Sequence, residues 1–195
     1  MNQSKTLQPQ NALLFNKADR LELTLCQLLN RTGDFRGVRL FFKAISRLGD
    51  GVFWYTLALA LPLLMGLEHG IAAIGHIAVC GLVCVAIYSQ LKNRLVRQRP
   101  FISWREISAH TAPLDLYSFP SGHTMNAVNF AVLFSMFYPP LFWLVVSFAL
   151  LVALSRVILG MHYPTDVLVG ATLGLTISNI SMLIWPAGMF ALTTL

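Results

Sequence analysis

Three short segments carry residue types that could do chemistry together. Lys92 is followed after six residues by Arg99-Pro100. Pro120-Ser121-Gly122-His123 forms the second segment. Ser155-Arg156 is followed after five residues by His162 and after three more by Asp166. Seven residues is close to two helical turns, so Lys92 and Arg99 can share one side of a helix end. Ser121 is a favoured helix N-cap, the N–H groups at a helix start bind anions, and Gly122 lets a ligand approach the backbone. Asp166 lies four residues after His162, so it can reach one imidazole nitrogen and fix the tautomer, leaving the other nitrogen free to attack. The chemistry that suits this set is phosphoryl transfer, in which charge spreads over three equatorial oxygens that need cations and N–H donors around them. Lys92, Arg99 and Arg156 supply the cations, and Ser121 and Gly122 a hydroxyl and N–H groups. The two histidines divide the rest: one attacks phosphorus while neutral, and the other gives its proton to the leaving oxygen.

The elements that must position these residues are membrane spans. The chain has 195 residues, 56% of them hydrophobic and only 11% charged, against about 25% charged in an ordinary soluble domain. Gly51–Leu67, His69–Leu91, Thr124–Ser155 and Val167–Leu195 carry no Asp, Glu, Lys or Arg. A helix needs about 20 apolar residues to cross a bilayer, and Pro139-Pro140 divides the longest run. The expected fold is therefore all-α, a polytopic transmembrane bundle of about five spans: Gly51–Leu67, Gly70–Leu91, Gly122–Tyr138, Leu141–Leu159 and Thr165–Trp185. In that order the connections Lys92–Ser121 and Gly160–Asp166 fall on one membrane face, and all three segments meet there.

Residues 1–50 read as an N-terminal polar and amphipathic segment, and 51–195 as the membrane-embedded domain. Met1–Asn16 is polar and expected to be loosely ordered. Asp19–Asn30 and Phe35–Arg47 have helical periodicity. In the second, Phe35, Val38, Phe42 and Ile45 mark one face and the bases fall elsewhere, which suits a basic helix lying in the interface. Met1–Arg20 has no apolar leader, so the internal spans are expected to direct insertion. The net charge of +6 lies beside apolar spans, which favours anionic headgroups or a phosphate substrate over nucleic acid. Cys80 and Cys84, four apart on one face of a span, read as packing residues, and Cys26 is uninformative. His69 and His76 read as satisfied polar residues, His110 as a loop histidine, and Arg94, Arg97 and Arg105 as headgroup or topology charges. Arg156, at a span end, is costly to place there and points to function. The eight Asp and Glu residues are scattered and form no metal-ligand cluster.

The three segments resemble the signature of the type 2 phosphatidic acid phosphatase family, whose site is shared with bacterial acid phosphatases and vanadium haloperoxidases. The pattern K-x6-RP, PSGH and SR-x5-H-x3-D is matched throughout, from Lys92 to Asp166, and the resemblance extends over Gly51 to about Trp185. It implies that His162 is the nucleophile, that Asp166 orients it, and that His123 is the general acid and later the base that activates water. Lys92, Arg99, Ser121, Gly122 and Arg156 would hold the phosphate, with no cofactor and no metal. Many bacterial members have six spans, and this chain departs in having five and a basic segment.

What the resemblance implies is an integral membrane lipid phosphatase of the bacterial inner membrane, working through a phosphohistidine on undecaprenyl pyrophosphate, phosphatidylglycerol phosphate, phosphatidate or a lipid A phosphate. The residues do not choose among them. Two arguments on orientation oppose each other. If residues 1–50 do not cross, all fourteen Lys and Arg residues lie on the catalytic face, and the positive-inside rule places it in the cytoplasm. The resemblance implies the periplasmic face, which is the expectation adopted. The rival readings are a lipid phosphotransferase with the same phosphohistidine, a non-enzymatic small transporter, which would line its spans with ionisable residues, and a vanadate-dependent oxidase.

Overall fold

A computed structural model describes residues 10–113 and 115–185, with side chains from Asp19 onward. Among these residues the secondary structure is helical throughout: α1 (Gln10–Thr32), α2 (Arg36–Arg47), α3 (Phe53–Met65), α4 (Leu67–Arg94), α5 (Pro100–Ser103), α6 (Gly122–Phe137), α7 (Phe142–Ile158) and α8 (Pro164–Ile184). The polytopic helical bundle is as expected from the charge-free runs. Four stretches are long and apolar enough to cross a membrane: Arg36–Met65, Leu67–Arg94, Pro139–Ile158 and Pro164–Ile184. The remaining expected span is α6. Its 16 residues reach about 24 Å, and it stands at the centre of the bundle, packed by α4, α7 and α8.

Boundaries moved where glycine chemistry decided them. The hairpin between the first two spans turns at Gly66, inside the first expected span, because Gly66 takes φ +86°, a conformation that favours glycine. A Cβ on Gly70 would clash with the backbone of Pro62, so α3 and α4 meet closely just past the turn. Helices α2 and α3 run almost without interruption through a turn at Leu48–Val52, where Gly51 has φ +147°. Of the stretch expected to be loosely ordered, Gln10–Asn16 belongs to α1, and residues 1–9 lie outside the described residues, as do residues 186–195 at the end of the expected membrane domain.

The core joins α3, α4, α6 and α7. Trp54 is flanked by Phe130, Phe134 and Phe148, and Phe53 stacks on Phe148 with ring centroids 3.7 Å apart. Cys80 and Cys84 are buried and unpaired, as packing residues. Leu59, Leu63, Val79, Leu82, Trp143, Leu150, Leu168 and Leu183 point outward, which suits a surface facing lipid rather than water. Helix α2 buries Ile45 and Ser46 on its contact with α7 and leaves Arg36, Lys43 and Arg47 exposed.

Candidate active site

The site is built at one end of the bundle, where α4 stops, α6 starts, and α7 passes into α8. Helix α4 ends at Arg94, so Lys92 and Arg99 do not share a helix face. Arg99 is extended, with φ −73° and ψ 151°, as a residue preceding proline must be. The turn into α5 nevertheless carries its guanidinium back beside Lys92. Ser121 caps α6, accepting a hydrogen bond from the Thr124 N–H, and its own N–H donates to the Asp166 carbonyl at 3.0 Å. This bond ties the start of α6 to the start of α8. A Cβ on Gly122 would press on the Tyr88 ring at 3.1 Å.

His162 is placed by the end of α7. The N–H groups of Met161 and His162 both donate to the Arg156 carbonyl, at 3.0 and 3.1 Å. Gly160 makes this turn possible, with φ +76° and no room for a Cβ, which would meet the Ser108 carbonyl at 2.5 Å. The imidazole is 1% exposed. Its Nδ1 lies 2.7 Å from the Ser118 carbonyl oxygen. A carbonyl only accepts, so Nδ1 carries the proton and Nε2 the lone pair. That Nε2 faces Arg99 Nη1 at 3.5 Å. Burial, and then the charges of Arg156, Arg99 and Lys92, hold His162 well below its ordinary 6.5. The imidazole is therefore neutral.

Asp166 stands differently from the expectation that it would grip His162. Its Oδ2 is 3.6 Å from His162 Nδ1, beyond hydrogen-bond reach. The carboxylate instead accepts from Arg97 Nη1 at 2.5 Å and from the Tyr163 N–H at 2.8 Å. Arg97 is correspondingly not a surface charge. It is 1% exposed, pairs with Asp19 and Glu22 of α1 as well as Asp166, and lies over the Tyr163 ring. Glu22 also accepts from Thr165. Helix α1 is thus tied to the end of the bundle that carries His162. His110 is likewise a buried linker, with Nε2 3.2 Å from the Asn30 carbonyl.

Arg156 is 4% exposed. One of its nitrogens, Nη1, donates to Ser46 Oγ, while Nε has no hydrogen-bond partner among the described residues. His123 Nε2 is 2.6 Å from Asp50 Oδ1, and the ring feels the charges of Arg156 and Lys92. Asp115, unforeseen from the sequence, bridges two of the expected phosphate cations. Its Oδ2 is 2.5 Å from Lys92 Nζ and its Oδ1 2.6 Å from Arg99 Nη2, and its backbone carbonyl accepts from Arg99 Nε. Burial raises the Asp115 carboxyl, but the hydrogen bond and charge of Lys92, joined by Arg99, outweigh it and hold the group below the usual carboxylate range. Asp50 and Asp115 sit in a turn and a loop with no motif around them, and only Gly49 and Gly51 beside Asp50 hinted at a constrained position. Among the described residues no cluster of three or more His, Cys, Asp or Glu side chains has an arrangement that could hold a metal ion.

The sequence profile of the PAP2 superfamily matches residues 70–189. The chain belongs to the PAP2 superfamily. It is 29% identical over 102 residues to a lipid A 1-phosphatase of Rhizobium johnstonii, covering 49% of this chain and 41% of that protein. It is 40% identical over 73 residues to an undecaprenyl-diphosphatase of Sulfolobus acidocaldarius, covering 37% of this chain and 35% of that one. Against a decaprenylphosphoryl-5-phosphoribose phosphatase of Mycobacterium tuberculosis it is 39% identical over 107 residues, covering 50% and 53%. The chain thus spans about half the length, or less, of these curated relatives. The crystal structure of LpxE from Aquifex aeolicus superposes with a TM-score of 0.72 at 26% identity, covering 83% of this chain and 94% of that one. A PAP2-type phosphatidylglycerolphosphate phosphatase from Bacillus subtilis has the same fold, with a TM-score of 0.60 at 23% identity over 89% and 90% of the two chains.

Proposed function

We propose that this PAP2 chain is a membrane lipid phosphatase that hydrolyses a lipid phosphomonoester or pyrophosphate through a phosphohistidine on His162 Nε2. The observation that carries the reading is the His162 imidazole, neutral, with its proton committed to Ser118 and its lone pair turned toward Arg99. A buried nitrogen in that state needs no base before it attacks. Lys92, Arg99 and Arg156 surround it with cations, and Ser121 and Gly122 open α6 beside them, an arrangement that suits the charge of a transferring phosphoryl group.

In the first half-reaction His162 Nε2 bonds to phosphorus and the bond from phosphorus to the lipid oxygen breaks. His123, protonated, gives its proton to that oxygen. In the second, His123 takes a proton from water, the water oxygen bonds to phosphorus, and the N–P bond breaks, releasing phosphate and restoring neutral His162. Asp166 acts on His162 through the turn between them and the Arg97 pair. The substrate classes supported by the relatives are lipid A phosphates and polyprenyl phosphates or pyrophosphates, with phosphatidate and phosphatidylglycerol phosphate alongside them. We place the site on the periplasmic face of a bacterial inner membrane, the side implied by family resemblance.

The test is phosphate release by the purified, detergent-solubilised protein from these lipids, with EDTA present, alongside His162→Ala. Release from one lipid, lost in the variant, is the expected result. Release that survives His162→Ala would remove the nucleophile. Release only when a second lipid is offered as acceptor would make the protein a phosphotransferase.

A further inference from the structure

Asp50 is held at the tip of the Leu48–Val52 turn by a glycine on each side. A Cβ on Gly49 would meet Val152 Cγ2 of α7 at 2.8 Å, and a Cβ on Gly51 would meet the Tyr55 ring at 2.5 Å. Gly51 also has φ +147°, which few L side chains adopt. The turn is thereby fixed against α7 and α3, and it delivers the Asp50 carboxylate to His123, 73 residues away, at 2.6 Å.

The surroundings of His123 make that carboxylate consequential. From α7 it faces Arg156, from α4 Lys92, and from the turn Asp50. The loop after α7 adds His162, which is neutral. Asp50 itself faces Arg156 and Arg47. Burial first, and then the two cations, oppose the protonated form that a general acid needs, and the Asp50 carboxylate is the group that favours it. His123 and Asp50 also stand together at a cavity of about 660 Å³ that continues between α3 and α4 along Trp54, Ile77 and Phe130. An apolar cavity with an acid at its edge fits the departing lipid.

We propose that Asp50 is a positioning residue for the leaving-group step, favouring the protonated form of His123 and aiming the ring into the α3–α4 cavity. This inference rests on the reading of His123 as the general acid. With Nε2–H held by Asp50, Nδ1–H is the proton given to the lipid oxygen as its bond to phosphorus breaks. Nδ1 then takes the proton of the attacking water, and Asp50 remains a carboxylate throughout.

The test compares Asp50→Asn, Asp50→Glu and His123→Ala with the parent protein in detergent. Two substrates are used: an alkyl monophosphate, whose leaving oxygen needs a proton, and a nitrophenyl phosphate, whose leaving oxygen does not. For Asp50→Asn we expect kcat/KM on the alkyl phosphate, which reports the leaving-group step and not the later hydrolysis of the phosphohistidine, to fall by about tenfold or more, and the basic limb of its pH profile to move to lower pH. The kcat/KM on nitrophenyl phosphate should fall much less, and Asp50→Glu should restore part of the alkyl value. An unchanged pH profile in Asp50→Asn, or equal loss of kcat/KM on both substrates in a protein that melts like the parent, overturns the role. If Asp50→Asn does not fold, Asp50→Glu carries the same comparison, because it displaces the charge by one methylene. If His123→Ala discriminates between the substrates and the Asp50 variants do not, Asp50 alone is wrong. If His123→Ala lowers kcat/KM on both alike, the general-acid reading fails and Asp50 with it.

Discussion

The Nδ1 of His162 lies 2.7 Å from the Ser118 carbonyl oxygen and 3.6 Å from the nearer Asp166 oxygen. The tautomer of His162 is thus set by a backbone carbonyl, while Asp166 spends its two oxygens on Arg97 and on the Tyr163 N–H. Removing one partner of a buried ion pair leaves the other uncompensated, at a cost of about 3–5 kcal/mol. Asp166→Ala should therefore lower thermal stability in detergent by that order, and Arg97→Ala should do the same, although Arg97 is not one of the proposed phosphate ligands. Asp166→Asn keeps an acceptor for the Tyr163 N–H and should retain more activity than His162→Ala. If Asp166→Ala melts like the parent and only turnover falls, the Arg97 pair is not what Asp166 is for.

His162 should also leave a signature in the pH dependence of stability. Its native pKa is held well below 6.5, so between that value and 6.5 the unfolded chain binds a proton that the native one does not. Stability from this group is complete above about pH 6.5 and is lost as the pH falls, at up to about 1.4 kcal/mol per pH unit. His162→Gln removes that slope. The measurement is the difference in melting temperature between parent and variant from pH 7.5 to pH 5. A difference that does not change with pH would mean that the native imidazole titrates normally and is charged in the acidic half of that range.

Asp115 neutralises Lys92 and Arg99 through one oxygen each, the same donors that phosphate oxygens would use. Because the cations hold its carboxyl below the usual range, it stays anionic at any pH at which the protein is assayed. A substrate phosphate must displace this carboxylate or share the cations with it. Asp115→Asn should therefore bind vanadate and inorganic phosphate more tightly, by about tenfold for the loss of one like charge at short range in a partly buried site. Inhibition constants measured at fixed ionic strength decide the matter. Weaker binding in Asp115→Asn would make Asp115 a scaffold that holds the two cations in place.

The spans were legible because a bilayer leaves charge-free runs in the sequence, and the observed ends of α6, α7 and α8 fall within a residue or two of the expected ones. The motif residues were legible as types and spacings, and the fold does bring them to one end. What could not be read is pairing across the chain. Arg94, Arg97 and Arg105 look alike in sequence, and nothing local tells that Arg97 has acids 78 and 75 residues away waiting for it. Asp50 and Asp115 reach their partners from a turn and a loop, where no period of 3.6 reports which way a side chain faces. The helix expected to hold both Lys92 and Arg99 was misread because α4 stops at Arg94, with Leu95 already out of the helical conformation, so two-turn spacing does not apply.

Gly170, Gly174 and Ser178 recur every fourth residue on α8, and all three are buried. Small residues at this spacing let two membrane helices approach backbone to backbone. A Cβ on Gly170 would meet the Ser121 carbonyl at 2.5 Å, and one on Gly174 would clash with the Met125 carbonyl. Backbone cannot yield as a flexible side chain can, so each alanine must push α6 and α8 apart, at about 1–3 kcal/mol. The consequences for catalysis should differ. Gly170 presses on the residue whose N–H is bonded to the Asp166 carbonyl, and displacement there separates the start of α6 from the turn that carries His162. Gly174 lies one turn further from the site. Gly170→Ala should lose both stability and most turnover, and Gly174→Ala mainly stability. Gly75→Ala, where a Cβ meets nothing within 4 Å, should lose neither. Melting curves and phosphate release on the three variants make the comparison. Equal turnover in Gly170→Ala and Gly174→Ala at matched stability would mean that the α6–α8 contact supports the bundle without setting the geometry of the site.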